Sequence, residues 1–138
     1  MTAYKSGDPT TINRLYGRSK GKPLRQGQQA LVDTLLPRIA VPAEGPVTSE
    51  VLFGDMRPLH FEIGFGGGEH LVHMAARYPE IGLIGCEPFV NGIAMLLGKI
   101  RAANVANLAI HPGDVRDLFE VLAGGILQKC FLNYPDPW

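Results

Sequence analysis

From Leu59 onward, short apolar runs alternate strictly with amphipathic stretches, and this alternation limits the chain to very few folds. LHFEI, IGLIGCE, Asn107-Leu-Ala-Ile-His and LQKCFLNY have the length and β-branched character of strands. Between them, Leu71, Met74, Ala75 and Tyr78 repeat at helical spacing over residues 69–78, and Pro79 stops that helix. Phe89, Ile93, Leu96, Leu97 and Ile100 repeat it over residues 89–102, and Val115, Leu118, Phe119 and Leu122 form a third apolar face closed by Gly124-Gly125. Strands this apolar cannot expose a face. The pattern therefore predicts an α/β fold, a parallel sheet with helices on both sides. Right-handed crossovers put the strands in the order 3-2-1-4 and place the ligand crevice at the carboxyl ends of strands one and four, where the winding reverses.

The segment before this alternation differs. Residues 1–24 are rich in Gly, Ser, Lys, Arg and Pro, and a helix then starts at Gln26, with Ala30, Leu31, Leu35 and Ile39 on one face and Pro37 bending or ending it. Residues 1–40 are taken as a basic arm and helix, 41–58 as a linking loop, and 59–138 as the sheet domain. The 13 basic and 13 acidic residues cancel, but residues 1–38 hold seven Lys/Arg against two Asp/Glu while 39–138 hold six against eleven. A basic arm on an acidic body suits an enzyme that holds a polyanion with one part and a cationic cofactor with the other; a solvated tail has the same composition.

Other classes are excluded quickly. The two cysteines, Cys86 and Cys130, sit inside apolar runs, which rules out a disulfide framework and indicates a reducing compartment, the cytoplasm. No apolar stretch approaches the roughly 18 residues of a membrane span, and the polar start is no secretion signal. His70 and His73 lie three apart, but no carboxylate or cysteine completes a metal set. Met56, Met74 and Met95 read as core or loop fillers.

The chemistry-bearing residues gather where the topology puts the crevice. Glu62-x-Gly64-x-Gly66-x-Gly68 joins the first strand to the first helix, and glycines there let the backbone turn sharply and approach a ligand. A dinucleotide pyrophosphate would want a third glycine at position 69 and a helix start free of acids. This chain has Glu69 there and Glu62 before the turn, and two carboxylates repel a pyrophosphate. S-adenosylmethionine, with a sulfonium, an amine and no phosphate, suits acidic neighbours. Glu87 ends the second strand where a carboxylate can accept both ribose hydroxyls of an adenosine, which fits either cofactor. Asp114 follows the third strand and either reaches the adenine or caps the next helix. Asn133-Tyr-Pro-Asp-Pro-Trp138 sets an acid between two prolines beside aromatic faces, at the end of strand four.

With these motifs, from about Gly17 to Trp138, the chain resembles the bacterial tRNA (guanine-N7-)-methyltransferases, within the Rossmann-like class I S-adenosylmethionine-dependent fold. The resemblance rests on Lys20-Gly-Lys-Pro-Leu-Arg-Gln-Gly-Gln-Gln29, Phe61-Glu-Ile-Gly-Phe-Gly-Gly-Gly-Glu69, Gly85-Cys-Glu-Pro88, Gly113-Asp114 and the final Pro-Asp-Pro-Trp. It implies that Glu62, Gly64, Gly66, Gly68, Glu87 and Asp114 bind S-adenosylmethionine and that Asp136 lies at the reaction centre. Arg18, Lys20, Lys22 and Arg25 are the candidate tRNA contacts of the arm, and Tyr134 and Trp138 are candidates to stack on the base or to pack locally. In the family the Pro-Asp-Pro-Trp motif is followed by a basic run, a fifth strand, an antiparallel pair and a Thr-x-x-Glu motif. The chain is therefore expected to be an N-terminal portion, truncated before strand five and inactive alone. A class I methyltransferase with another substrate, and a non-catalytic nucleotide- or RNA-binding remnant, are the alternative readings.

Overall fold

The computed structural model describes residues 21–124 and, as backbone, 127–132. Helices α1 (Gln26–Thr34), α2 (Leu36–Ile39) and α3 (Ser49–Phe53) precede β1 (Leu59–Ile63). Then follow α4 (Glu69–Arg77), β2 (Gly82–Cys86), α5 (Val90–Ala103), β3 (Leu108–His111), α6 (Val115–Val121) and β4 (Leu127–Leu132). The four strands form one sheet in the order β3-β2-β1-β4, every pair parallel, so the topology expected from the alternation is the one observed. Among the described residues no helix is long and apolar enough to cross a membrane.

Side chains alternate across the sheet, and each face has its own core. Leu83, Leu108 and Ile110 join Leu71 and Ala75 of α4 and Ile93, Leu96, Leu97 and Ile100 of α5 on one face. Leu59, Phe61, Ile84, Cys86 and Ala109 join Val41, Val47 and Leu118 on the other. Strand β1 breaks this symmetry. Leu59 and Phe61 supply the second core, so the alternate positions toward α4 are His60 and Glu62, both polar and both buried. Two ionisable groups under a helix are costly to desolvate unless bonded or used, and they mark the end of the sheet where function is to be sought.

Three local features depart from the sequence reading. Residues 41–58, read as a linking loop, contain α3: Thr48 accepts the Val51 N–H at 3.2 Å, and Gly54 ends the turn at φ 82°. A single turn is too short to show a period, which is why the pattern missed it. Backbone bonds Val41 N–H to Ile110 O (2.8 Å) and Val47 N–H to Val121 O (2.7 Å) fasten this stretch to β3 and α6. Phe119, assigned to the buried face of α6, is 50% exposed, although its ring tilts against Phe61 at 5.6 Å. Met95 is also exposed, on α5.

Asn107, which opens the third strand run, holds the fold in a way its sequence position does not advertise. Its buried side-chain amide donates to the carbonyls of Ala75 (3.0 Å), Tyr78 (3.1 Å) and Ile81 (2.8 Å), and so closes the carboxyl end of α4 and the turn into β2. Asn107→Leu removes that donor from all three carbonyls, of which Tyr78's keeps the Ile81 N–H, and should lower the unfolding free energy by about 1–3 kcal/mol. Urea denaturation would show it as a lower midpoint at unchanged slope.

Candidate functional site

The turn after β1 carries left-handed backbone at every second residue: Gly64, Gly66 and Gly68 have φ of 69°, 61° and 86°. Only glycine takes these values without strain. Two backbone bonds fix the turn, Gly64 N–H to Cys86 O at 2.8 Å and Gly68 N–H to Phe65 O at 2.9 Å. Helix α5 closes it from behind. A Cβ on Gly92 would run into the Gly66 carbonyl, and a Cβ on Gly68 would stand 2.5 Å from Leu96 Cδ1. A Cβ on Gly66 would instead meet nothing within 4 Å. The turn is thus packed on one side and open at Gly66, a cradle that any side chain would begin to fill.

Two carboxylates stand at this cradle and a third lies one strand further on, each in a different state. Glu87, just beyond β2 and buried, accepts the Gly66 N–H at 3.0 Å and the Phe89 N–H at 3.3 Å, so it braces the cradle directly. Glu62, 2% exposed, meets His70 Nδ1 of α4 at 2.7 Å. Asp114 caps α6 by accepting the Arg116 N–H at 2.8 Å, and the Arg116 guanidinium holds both its oxygens at 3.0 and 2.6 Å. That arginine keeps the Asp114 carboxyl below the usual carboxylate range. Of its two expected roles, capping is the one the geometry displays.

Glu69 requires a correction. Its carboxylate pairs with Lys99 Nζ of α5 at 2.9 Å, and Lys99 also donates to the Gly67 carbonyl at 2.5 Å. The lysine holds the Glu69 carboxyl below its ordinary value and offsets its charge. The electrostatic case against a pyrophosphate therefore rests on Glu62 alone. Cys86, though beside the site, is no nucleophile: burial pushes its thiol up, and it donates to the Gly113 carbonyl at 3.3 Å.

The structure thus brings Glu62, Gly64, Gly66, Gly68 and Glu87 to one end of β1 and β2, with Asp114 one strand further on. Lys22 and Arg25 are exposed; the Lys22 carbonyl accepts from Asn91 Nδ2 at 2.7 Å, and Asn91 Oδ1 accepts the Gly21 N–H at 2.8 Å. Arg18, Lys20, Tyr134, Asp136 and Trp138 lie outside the described residues. Sequence reasoning missed four residues: His70, Asn91, Gly92 and Lys99. Gly92 carried a signal, since a glycine inside a helix loses stability unless something must come close. The spacing of His70 to His73 points only to a metal pair and gives no sign of Glu62. Among the described residues no group of three potential metal ligands exists.

Residues 56–138 match the family model described as "Putative methyltransferase". The match takes in more than half of the chain, which belongs to this methyltransferase family. Over its whole length the chain is also 59% identical to a tRNA (guanine-N(7)-)-methyltransferase of Novosphingobium aromaticivorans, of which it covers 60%. Proteins of the same name from Erythrobacter litoralis and Zymomonas mobilis are 59% and 49% identical, again over 100% of this chain and 59% and 60% of their own lengths. The chain spans about 60% of the length of these relatives.

Two outcomes test the site's construction. Gly66→Ala forces a left-handed alanine into open space and should cost about 1–2 kcal/mol. Gly68→Ala adds the collision with Leu96 and should cost a further 1–3 kcal/mol or so, both read from urea midpoints. The second outcome concerns pH. Burial lowers the pKa of His111, against the opposing effects of the Asp114 carbonyl that its Nε2–H meets at 2.9 Å and of the Asp117 and Asp114 charges. On acidification the unfolded chain therefore takes up a proton at this histidine before the folded one does. Stability should hold above about pH 7 and fall toward pH 5, and His111→Gln should flatten that slope in melts compared at the two values.

Proposed function

We propose that this chain forms the cofactor-binding part of a tRNA (guanine-N7-)-methyltransferase that uses S-adenosylmethionine. In this division residues 1–40 serve as the arm and first helices, 41–58 as the join, and 59–138 as the cofactor-binding unit. The observation that carries the reading is the Gly66 cradle, open in front and bonded to the buried carboxylate of Glu87. S-adenosylmethionine fits its donor set, because the ligand offers ribose hydroxyls and positive charge to acidic groups and has no phosphate to be repelled. When bound, it supplies a methyl group made electrophilic by a positively charged sulfur.

The residues of this chain have binding and orienting tasks. Glu87, already fixed by two backbone N–H groups, keeps acceptor capacity for the ribose hydroxyls. Glu62, held by His70, contributes negative potential under the cradle. Gly64 to Gly68 let the backbone pass close beneath the methionine part. Asp114, bonded through both oxygens to Arg116, keeps acceptor capacity in the same way and is assigned to the adenine end of the ligand.

Guanine N7 has an in-plane lone pair and no proton, so no residue is needed as a general base. Asp136 is assigned to the base itself, accepting from N1–H and the exocyclic amine and opposing the positive charge that develops on the ring. Tyr134 and Trp138 are the stacking candidates, and Arg18, Lys20, Lys22 and Arg25 are assigned to tRNA phosphates.

The test is methyl transfer to unmodified tRNA by the complete protein that carries this chain, with the product nucleoside identified by mass spectrometry. N7-methylguanosine supports the reading, and methyl on any other atom refutes it. Asp136→Ala should lower the rate by about one to two orders of magnitude while leaving cofactor affinity within about two-fold. Unchanged turnover would remove Asp136 from the mechanism.

A further inference from the structure

Beside the cradle, a trough of about 620 Å³ runs between α1 and α5, open to solvent along its length. That volume lies within the range of small-molecule pockets, roughly 300–1,000 Å³, but such pockets enclose their ligand and this one does not. An open trough suits a chain passing through. Arg25 stands at the start of α1, and Lys99 and Arg101 on α5; no acidic side chain is among the lining residues. Lys99 is committed to Glu69 and the Gly67 carbonyl. Arg25 and Arg101 are exposed, and among the described residues no carboxylate pairs with either.

Packing does not explain the trough's floor. Gly27 of α1 and Gly98 of α5 both line it, and a Cβ added to either would meet nothing within 4 Å. Glycine in mid-helix costs roughly 0.5–1 kcal/mol against alanine, so Gly98 weakens α5 without admitting a neighbour, while Gly27 sits in the first turn of α1. What they leave is open space in a trough also lined by Arg25 and Arg101. Met95, 47% exposed, adds a flexible apolar surface at the end nearest the glycine turn, where its Cε would lie 3.1 Å from a Cβ on Gly67. Met95 and Lys99 thus border both the trough and the glycine turn.

We propose that this trough seats the phosphodiester backbone of RNA, with Arg25 and Arg101 as its phosphate contacts. The proposal rests on the RNA-methyltransferase reading above and adds to it a second surface and a residue, Arg101, outside the basic arm. The free energy comes from phosphate neutralisation and counterion release, which positions the RNA without reading its sequence.

The test is fluorescence-anisotropy titration of an unmodified tRNA transcript with the complete protein at several salt concentrations between 50 and 200 mM. Arg25→Gln and Arg101→Gln should each weaken binding by about 3- to 10-fold and reduce the log–log salt slope by about 0.7–0.9. Gly98→Glu, which places a carboxylate in open space and leaves the fold intact, should weaken it at least as much. Affinity for S-adenosylhomocysteine, measured by calorimetry on the same proteins, should not change. Wild-type affinity and slope in Arg101→Gln and Gly98→Glu, whatever Arg25→Gln does as part of the basic arm, would overturn the trough while leaving the function standing. A wild-type protein that neither binds nor methylates tRNA would overturn both. Light scattering on the same samples covers the remaining occupant: loss of a dimer in the variants, with RNA binding following the dimer, would mean that a second copy fills the trough, and the proposal would fall.

Discussion

The functional end of this sheet depends on one backbone contact, the approach of α5 to the turn after β1. Gly92 lies so close to the Gly66 carbonyl that no side chain fits between them, and Leu96 lies just as close to Gly68. With helix packed directly on turn, the three positive-φ glycines are confined to one conformation, and the Gly66 N–H is left pointing at Glu87. Lys99 ties the same helix to the Gly67 carbonyl. Cradle, carboxylate and helix are one unit, and its rigidity comes from core packing by Ile93, Leu96, Leu97 and Ile100 against the sheet.

The second constraint is electrostatic. Placing Glu62 on the helix-covered face of β1 takes a charge-bearing group out of water, and its 2.7 Å contact with His70 offsets part of that cost. Glu87 is compensated by two backbone N–H groups. Glu69, by contrast, is exposed and matched by Lys99, a pair that adds little stability but orients the turn. Acidic potential is therefore concentrated at the buried ends of β1 and β2, where it can act on a ligand through a medium of low dielectric. The basic groups, Arg25 and Arg101, lie along the outer trough.

Much of this was legible in the sequence because the fold is written as a period. LHFEI is β1 to the residue, the helix over 69–78 is α4 within one residue, and the order 3-2-1-4 follows from alternation and handedness alone. Glu62, the glycines and Glu87 were found because they punctuate those periods at strand ends. What stayed hidden depends on partners distant in the chain. Glu69 could be counted as a free acid only because Lys99, thirty residues away, gives no local sign of reaching it. The reach of Asn107 to three carbonyls is equally invisible, as is the role of His70, which its spacing to His73 disguised as a metal motif. Helix α3 escaped because a cap and one glycine made it, with no apolar repeat.

The central claim is that the Gly66 cradle with Glu87 is the place where the cofactor sits. The most direct measurement is a two-dimensional ¹H–¹⁵N NMR titration with S-adenosylhomocysteine, which reports each backbone amide separately and needs no catalytic turnover. The largest shifts should fall on Gly64 to Gly68 and on Glu87 and Phe89, because the Gly66 and Phe89 N–H groups share the carboxylate that the ribose would join. Saturable binding whose shifts cluster elsewhere and leave these amides unmoved would contradict the account.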